Sequence, residues 1–328
     1  MISQSEGRTD FYAVKYASFG SDAAVALRRD VFGEDIGQEG WTTAGEYAEI
    51  ADSLAVGRTS HVLDVCCGSG GPALAIIQRS GCRLTGIDRE NAAIAYAQAQ
   101  ASSRGVADRA TFAVVDCGGP LPFADGSFDA LLCVDAILHL RDRFGTLREW
   151  ARLLRDKGRV AFTDVAVITG EIAKSELDIR TTSGFFLFVP PGLNEAAIGA
   201  AGLIVLRVDD RTAGVAEIGA RMHAARIRHA AVLEREEGAD GFRRRQDLYA
   251  IATDLAKSRR LSRFLYVAEK SDLPSAKDRD PLLEHLSNSI RDSTGPVSHR
   301  SSGSGTTRTS PDVRACAAIR GIADIRRA

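Results

Sequence analysis

Residues equipped for chemistry gather between Asp64 and His139. Val62-Leu63-Asp64-Val65-Cys66-Cys67-Gly68-Ser69-Gly70-Gly71-Pro72-Ala73-Leu74 reads as a strand running into a glycine-rich turn and then a helix. Such a turn brings backbone close to a nucleotide-like ligand. Gly68 and Gly70 remove side chains that would block the approach, and Pro72 sits near the helix start, where its missing N–H is harmless. Asp88 follows Gly68 by twenty positions, at the end of the next strand, where its carboxylate can accept from both ribose hydroxyls. Asp64 closes the first strand, where a carboxylate would favour a ligand carrying positive charge. Val115-Asp116-Cys117 ends the third strand and places an acid where an exocyclic adenine amine could donate to it.

The glycines alone leave two readings, because Gly68-x-Gly70-x-x-Ala73 also satisfies the dinucleotide pattern of nicotinamide dehydrogenases. An acid at position 64 would face approaching phosphates in a dinucleotide site, but it suits the amino group and sulfonium of S-adenosylmethionine. The Asp116 segment, the run Leu121 to Asp129, and the helix-turn-strand Leu153 to Asp164 complete an ordered set. In that set the chain resembles the class I S-adenosylmethionine-dependent methyltransferases over about residues 10 to 270. Within them it looks like the small-molecule branch of quinone, sterol, sarcosine/dimethylglycine and phosphoethanolamine methyltransferases.

The resemblance implies an α/β, Rossmann-like, seven-stranded and mostly parallel sheet with the last strand antiparallel, helices on both faces, and helical caps. It implies that Asp64, Gly68 and Gly70 surround the methionine part of the donor, Asp88 the ribose, and Asp116 with Cys117 the adenine. Cys66, Arg89 and Cys133 join them in the expected cofactor-binding set. The family usually has glycine two positions after the first acid; here that residue is Cys66, whose side chain would crowd the loop. The function implied is methyl transfer from S-adenosylmethionine to a small molecule, at N, O or C. A noncatalytic S-adenosylmethionine-binding protein and an NAD(P)-dependent oxidoreductase are the alternatives.

Methyl transfer is an in-line displacement at a sulfonium carbon, so a protein mainly aligns the acceptor and excludes water. A general base matters only where the acceptor arrives protonated. His139, in Cys133-Val134-Asp135-Ala136-Ile137-Leu138-His139-Leu140, follows the fourth strand at the carboxyl edge, where open α/β sheets bind ligands. An imidazole, with an ordinary pKa of ~6.5, can take a proton near neutrality. The string Asp-Ala-Ile-Leu-His-Leu is similar to the segment of phosphoethanolamine methyltransferases whose histidine takes part in catalysis; the alternative is a histidine that only packs. Asp135 either orients a cosubstrate or caps the following helix. Tyr12, Tyr16 and Trp41 either close over donor or acceptor or pack in the core. Phe185, in Gly184 to Pro191, belongs to an apolar wall that is buried under cap helices or lines an acceptor pocket. Arginines from 221 to 260 read as solvated helix faces, or as attraction for an anionic substrate.

The elements that must hold these residues alternate from about Ser60 to Val165, as consecutive βα units do. Strands are expected at His61 to Val65, Arg83 to Asp88, Ala110 to Asp116, Phe128 to Val134 and Arg159 to Val165. Leu203 to Val208 and Leu261 to Lys270 supply two more. Helices are expected at Gly71 to Ser80, Glu90 to Arg104, Arg143 to Arg155 with a turn at Asp156-Lys157-Gly158, Asn194 to Ala201, Val215 to Glu237 and Phe242 to Arg260. Domain organisation follows: an N-terminal helical cap over 1–57, a core over 58–270 with cap insertions at about 166–192 and 210–260, and a disordered tail over 271–328, where Ser, Thr and Gly dominate.

Composition bounds the partners. The 328 residues carry 42 basic and 43 acidic side chains, a net charge of -1 that offers no global field to nucleic acid or an anionic membrane. Met1 to Asp10 lacks the apolar core of a signal peptide, and no apolar run reaches the ~18 to 20 residues that span a bilayer. The expectation is a cytoplasmic enzyme with a small-molecule acceptor. Six cysteines show no CxxC pair, and those of the core fall in strands and the cofactor loop rather than the caps. No metal is expected.

Overall fold

The computed structural model describes residues 12, 13 and 15–271, all within one unit, Met1–Arg279. All but the first residue of the expected tail lies outside the described residues, as do the first eleven residues of the expected N-terminal cap.

The strands are β1 His61–Val65, β2 Arg83–Asp88, β3 Ala110–Val114, β4 Phe128–Cys133, β5 Leu154–Ile168, β6 Leu203–Asp210 and β7 Leu261–Lys270. They form one seven-stranded sheet in the order β3-β2-β1-β4-β5-β7-β6. β1 to β5 pair in parallel, and β7 runs antiparallel to both β5 and β6. Four residues of β1 in succession, Val62 to Val65, are buried, which is the pattern of an inner strand covered on both faces. β1 leads into α3 Gly71–Ser80, β2 into α4 Asn91–Ser103, and β4 through a short 3-10 turn, Ile137–His139, into α5 Arg143–Leu153. The order reverses between β1 and β4, so the carboxyl ends of β1, β2 and β4 open a crevice, the usual ligand position of such sheets.

Two apolar cores support this crevice. One lies under α3 and α4 and includes Leu74, Ile77, Leu84, Ile94 and Leu132. The other joins α1 Asp22–Phe32 to two late helices through Val31, Trp41, Val215, Ile218, Met222 and Ala252. Α2 Ala44–Ser53 begins at Thr43, whose hydroxyl accepts from the Glu46 N–H.

Three expectations are revised. The stretch Val215 to Glu237 is two helices, α8 Thr212–Arg228 and α9 Ala230–Glu237, broken at His229. Buried Arg226 pairs with Glu237 at 2.8 Å. On a straight helix those residues would stand about 16 Å apart, so the chain must fold back between them. The fifth strand is longer than expected because the anticipated turn is a bulge inside it. Phe128 pairs with Leu154 and Ala130 with Arg159, so 155–158 loop out of register around Lys157, which adopts φ +60°. The last late helix, α10, spans Ala239–Lys257 and starts three residues early, while α6 Lys174–Arg180 and α7 Leu193–Ala200 lie between β5 and β6.

Candidate active site

A cavity of about 490 Å³ occupies the crevice, bounded by the glycine loop, the ends of β2 and β4, and the N-terminal segment. Of the residues singled out from sequence, Cys66, Gly68, Asp88, Arg89, Asp116, Cys117, Tyr16, Asp135 and His139 line it. Asp64, Gly70, Cys133, Trp41 and Phe185 stand behind that lining.

The loop is shaped by close approaches. A Cβ on Gly68 would lie 2.6 Å from the Tyr16 hydroxyl, and one on Gly71 only 2.1 Å from the Ile36 carbonyl oxygen. Gly70 serves the fold, since its Cβ would meet Ala97 at 2.7 Å and the Phe112 ring at 2.9 Å. Cys66 occupies the left-handed region at φ +59°, which costs a side-chain-bearing residue roughly 1–2 kcal/mol. Its thiol turns toward those of Cys117 and Cys133, and all three are held above the ordinary thiol range. The Cys117 contact works to lower Cys66, but contact with Cys133 and burial outweigh it; Cys117 is raised by its contact with Cys66, and Cys133 by burial.

The acids divide by surroundings. Asp88 Oδ2 accepts from the Gly68 N–H at 2.9 Å and Oδ1 from the Glu90 N–H at 3.0 Å, while burial raises its pKa. Asp64 makes no hydrogen bond among the described residues and is 5% exposed; burial, then the charge of Asp88, pushes its carboxyl up to about 8. An unpartnered buried acid at the foot of a glycine loop suits an incoming cation. Asp116 lies exposed beyond the end of β3, its Oδ1 accepting from the Gly118 N–H at 3.0 Å.

The other end of the cavity is defined by Tyr12 and His139. Nδ1 of His139 lies 3.0 Å from the Phe185 carbonyl oxygen, an acceptor only, so Nδ1 carries the proton. Nε2, 3.0 Å from the Tyr12 hydroxyl, therefore accepts in the neutral ring. Phe185 contributes its carbonyl here, while its ring is covered by the Arg141 guanidinium at 4.2 Å. Asp135 is neither a helix cap nor free for a ligand. Its Oδ2 accepts from the Trp41 N–H and the Thr42 hydroxyl, both at 2.8 Å, and its Oδ1 from Thr163 at 2.8 Å and Arg263 Nε at 2.7 Å. Trp41 packs in the second core against Tyr249.

Tyr12 and Pro72, also noted from sequence, line the cavity, but sequence reasoning missed Lys15, Glu39 and Ser69. Lys15 pairs with Glu39 at 2.6 Å over the cavity, and the Ser69 hydroxyl donates to the Gly37 carbonyl at 3.0 Å, pinning the N-terminal segment to the loop. That segment has no strong periodicity to reveal it; the doublet Gly70-Gly71 was the only local sign of a close crossing.

Fold and loop together define a class, and comparison agrees. Residues 62–158 match the methyltransferase domain family. The chain is 32% identical over 157 residues to the methyltransferase GfsG of Streptomyces halstedii, covering 44% of this chain and 56% of that one. Among solved structures, Haemonchus contortus phosphoethanolamine N-methyltransferase 2 with S-adenosyl-L-methionine superposes with a TM-score of 0.66 at 18% identity, covering 80% of this chain and 60% of that one. The [4+2]-cyclase SpnF does so with a TM-score of 0.60 at 22% identity, covering 76% and 93%. The chain spans about half the length of the curated relatives it matches (56%, 54% and 45% for three of them). The family match is confined to residues 62–158, and the solved structures share the chain's fold. Among the described residues no helix is long and apolar enough to cross a membrane.

Proposed function

We propose that the protein transfers a methyl group from S-adenosylmethionine to a small-molecule acceptor held between the glycine loop and the Tyr12–His139 pair. The observation that carries this reading is the arrangement of acids around a cavity that ends at a histidine. Asp88 is anchored to the loop backbone, and Asp64 is buried near it without a hydrogen-bond partner among the described residues. The residues fit the donor: a side-chain-poor loop, a carboxylate at the end of β2, and an orphaned acid suited to a cation. When bound, S-adenosylmethionine supplies a methyl group already activated by positive sulfur.

The chain's own residues bind, cover and move a proton. Asp88 and Asp116 would hold the nucleoside, and Asp64 would counter the cationic end. Tyr16, packed over Gly68, excludes water. His139, its Nδ1–H fixed on the Phe185 carbonyl, can take the acceptor's proton at Nε2, directly or through the Tyr12 hydroxyl. Relatives named as O-, C- and N-methyltransferases are similar to this chain over 122, 170 and 163 residues, so the reading covers all three acceptor atoms. A cytoplasmic setting belongs to the same reading, as does the absence of nucleic-acid partners, which the near-zero net charge supports.

Likeness to a cyclase makes turnover, not fold, the deciding measurement. Calorimetric titration with S-adenosylmethionine, S-adenosylhomocysteine and NAD should show binding of the first two alone. Donor consumption should then appear in a screen of small-molecule acceptors. No affinity for either sulfur nucleoside would end the proposal.

A further inference from the structure

Five arginines are buried among the described residues: Arg28, Arg143, Arg180, Arg226 and Arg263. Four of them face carboxylates. Arg28 meets Asp35 at 2.8 Å, Arg143 meets Asp164 at 3.0 Å, Arg226 meets Glu237 at 2.8 Å, and Arg263 meets both Asp135 and Glu46 at 2.7 Å. Arg180 breaks the rule. It is 2% exposed, forms no ion pair among the described residues, and leaves its Nε without a hydrogen-bond partner.

Its neighbours are rings. The guanidinium lies 5.7 Å from the centre of Trp41 and 5.3 Å from that of Phe186. Among the described residues, charge that could compensate it comes from the Tyr12 and Tyr249 phenols and from Asp135, whose oxygens are already taken by Trp41, Thr42, Thr163 and Arg263. Burial accordingly holds its pKa down to about 10. Aromatic faces attract a cation, but they satisfy none of its five N–H donors, and burying an unpaired guanidinium is costly. Arg143 also leaves its guanidinium nitrogens without hydrogen bonds but stands against Asp164, so among the described residues Arg180 is the buried arginine with no facing carboxylate, a fork suited to an anion brought by a ligand.

The position says what. Phe186 packs edge-on against His139, with ring centres 5.0 Å apart, and against Arg180 as well. The open cation therefore stands behind Phe186, one ring away from the Tyr12–His139 pair that lines the cavity, and does not itself form part of that lining.

We propose that Arg180 binds an anionic oxygen-acid group, carboxylate or phosphate, of the methyl acceptor. The planar fork matches such a group in bidentate fashion, and the rings around it accommodate a flat or apolar body. That the anion belongs to the acceptor rests on the methyl-transfer reading; the anion site itself does not.

The test uses the full chain, free and loaded with S-adenosylhomocysteine, titrated with 4-hydroxybenzoate, phenyl phosphate and the neutral 4-hydroxybenzamide. One anion should bind at least about tenfold more tightly than the amide, and which one does so identifies the acid. Arg180→Met should erase that preference while leaving S-adenosylhomocysteine affinity and melting temperature no lower than in the wild type. Arg180→Lys, which keeps the charge and loses the fork, should fall between them. The proposal is overturned if neither anion outbinds the amide, if Arg180→Met keeps the preference, or if that variant instead melts well below wild type with anion binding intact. Failure to bind S-adenosylhomocysteine would sink the methyl-transfer reading alone, since the anion preference is also measured on the donor-free protein.

Discussion

Asp64 and Asp88 are both buried acids beside one loop, yet their surroundings give them different tasks. Two backbone N–H groups hold the Asp88 carboxylate in place, so Asp88→Ala should weaken S-adenosylhomocysteine binding by about 1.5–3 kcal/mol, roughly ten- to hundredfold, by calorimetry. Asp64 has no such support and titrates at about 8 when folded, against about 4 when unfolded. Between those values the folded chain holds a proton that the unfolded chain has released, so this group lowers stability as pH rises across that window. Asp64→Asn cannot ionise, and its melting temperature should gain on the wild type progressively from about pH 5 to about pH 8. A gap independent of pH would contradict the assignment. His139→Ala should cut turnover at least about tenfold without changing donor affinity, with Tyr12→Phe intermediate. A fully active His139→Ala would remove the imidazole from the reaction. The acids, the glycines and His139 were legible because each sits at a fixed offset from a strand end. Asp135 and Arg180 were not, because their meaning depends on what surrounds them: Asp135 is claimed by Arg263, 128 positions away, and Arg180 by no acid among the described residues.

At the scale of elements, hydrophobic periodicity placed β1, β2 and β7 with the bounds observed, because inner strands are short apolar runs closed by glycine or charge. It failed where a tertiary contact overrides the period, as at His229, where the Arg226–Glu237 pair folds one helical pattern into two. The start of α3 shows the same limit. Gly71 reads as an ordinary helix-initiating glycine, but the Ile36 carbonyl passes where its Cβ would be. Gly71→Ala should therefore displace the N-terminal segment from the loop, lowering both melting temperature and donor affinity. Thermal scans with and without S-adenosylhomocysteine check this, and an unperturbed variant would show that the crossing gives way cheaply.

For the whole molecule, the alternation of strands and helices foretold the class of sheet but not its stitching. Arg263 on β7 reaches Asp135 beyond β4, Thr42 ahead of α2 and Glu46 within it, so one buried cation fastens the N-terminal cap to the sheet. Asp135→Ala should cost about 3 kcal/mol, the lower range for stripping a partner from a buried pair, because Glu46 still faces Arg263. Denaturant midpoints would measure it, and a loss under about 1 kcal/mol would mean the cap is held elsewhere. The sequence could not show this knot, whose members come from three separate stretches of chain. The cap's crossing over the loop has a kinetic corollary. On the proposed reading, a nucleoside bound under Tyr16 and the Ser69–Gly37 tether would leave by moving them, so each cycle would include an unlatching. Throughput would then follow how fast that clasp opens, and slow escape of the demethylated by-product would act as a brake built into the architecture.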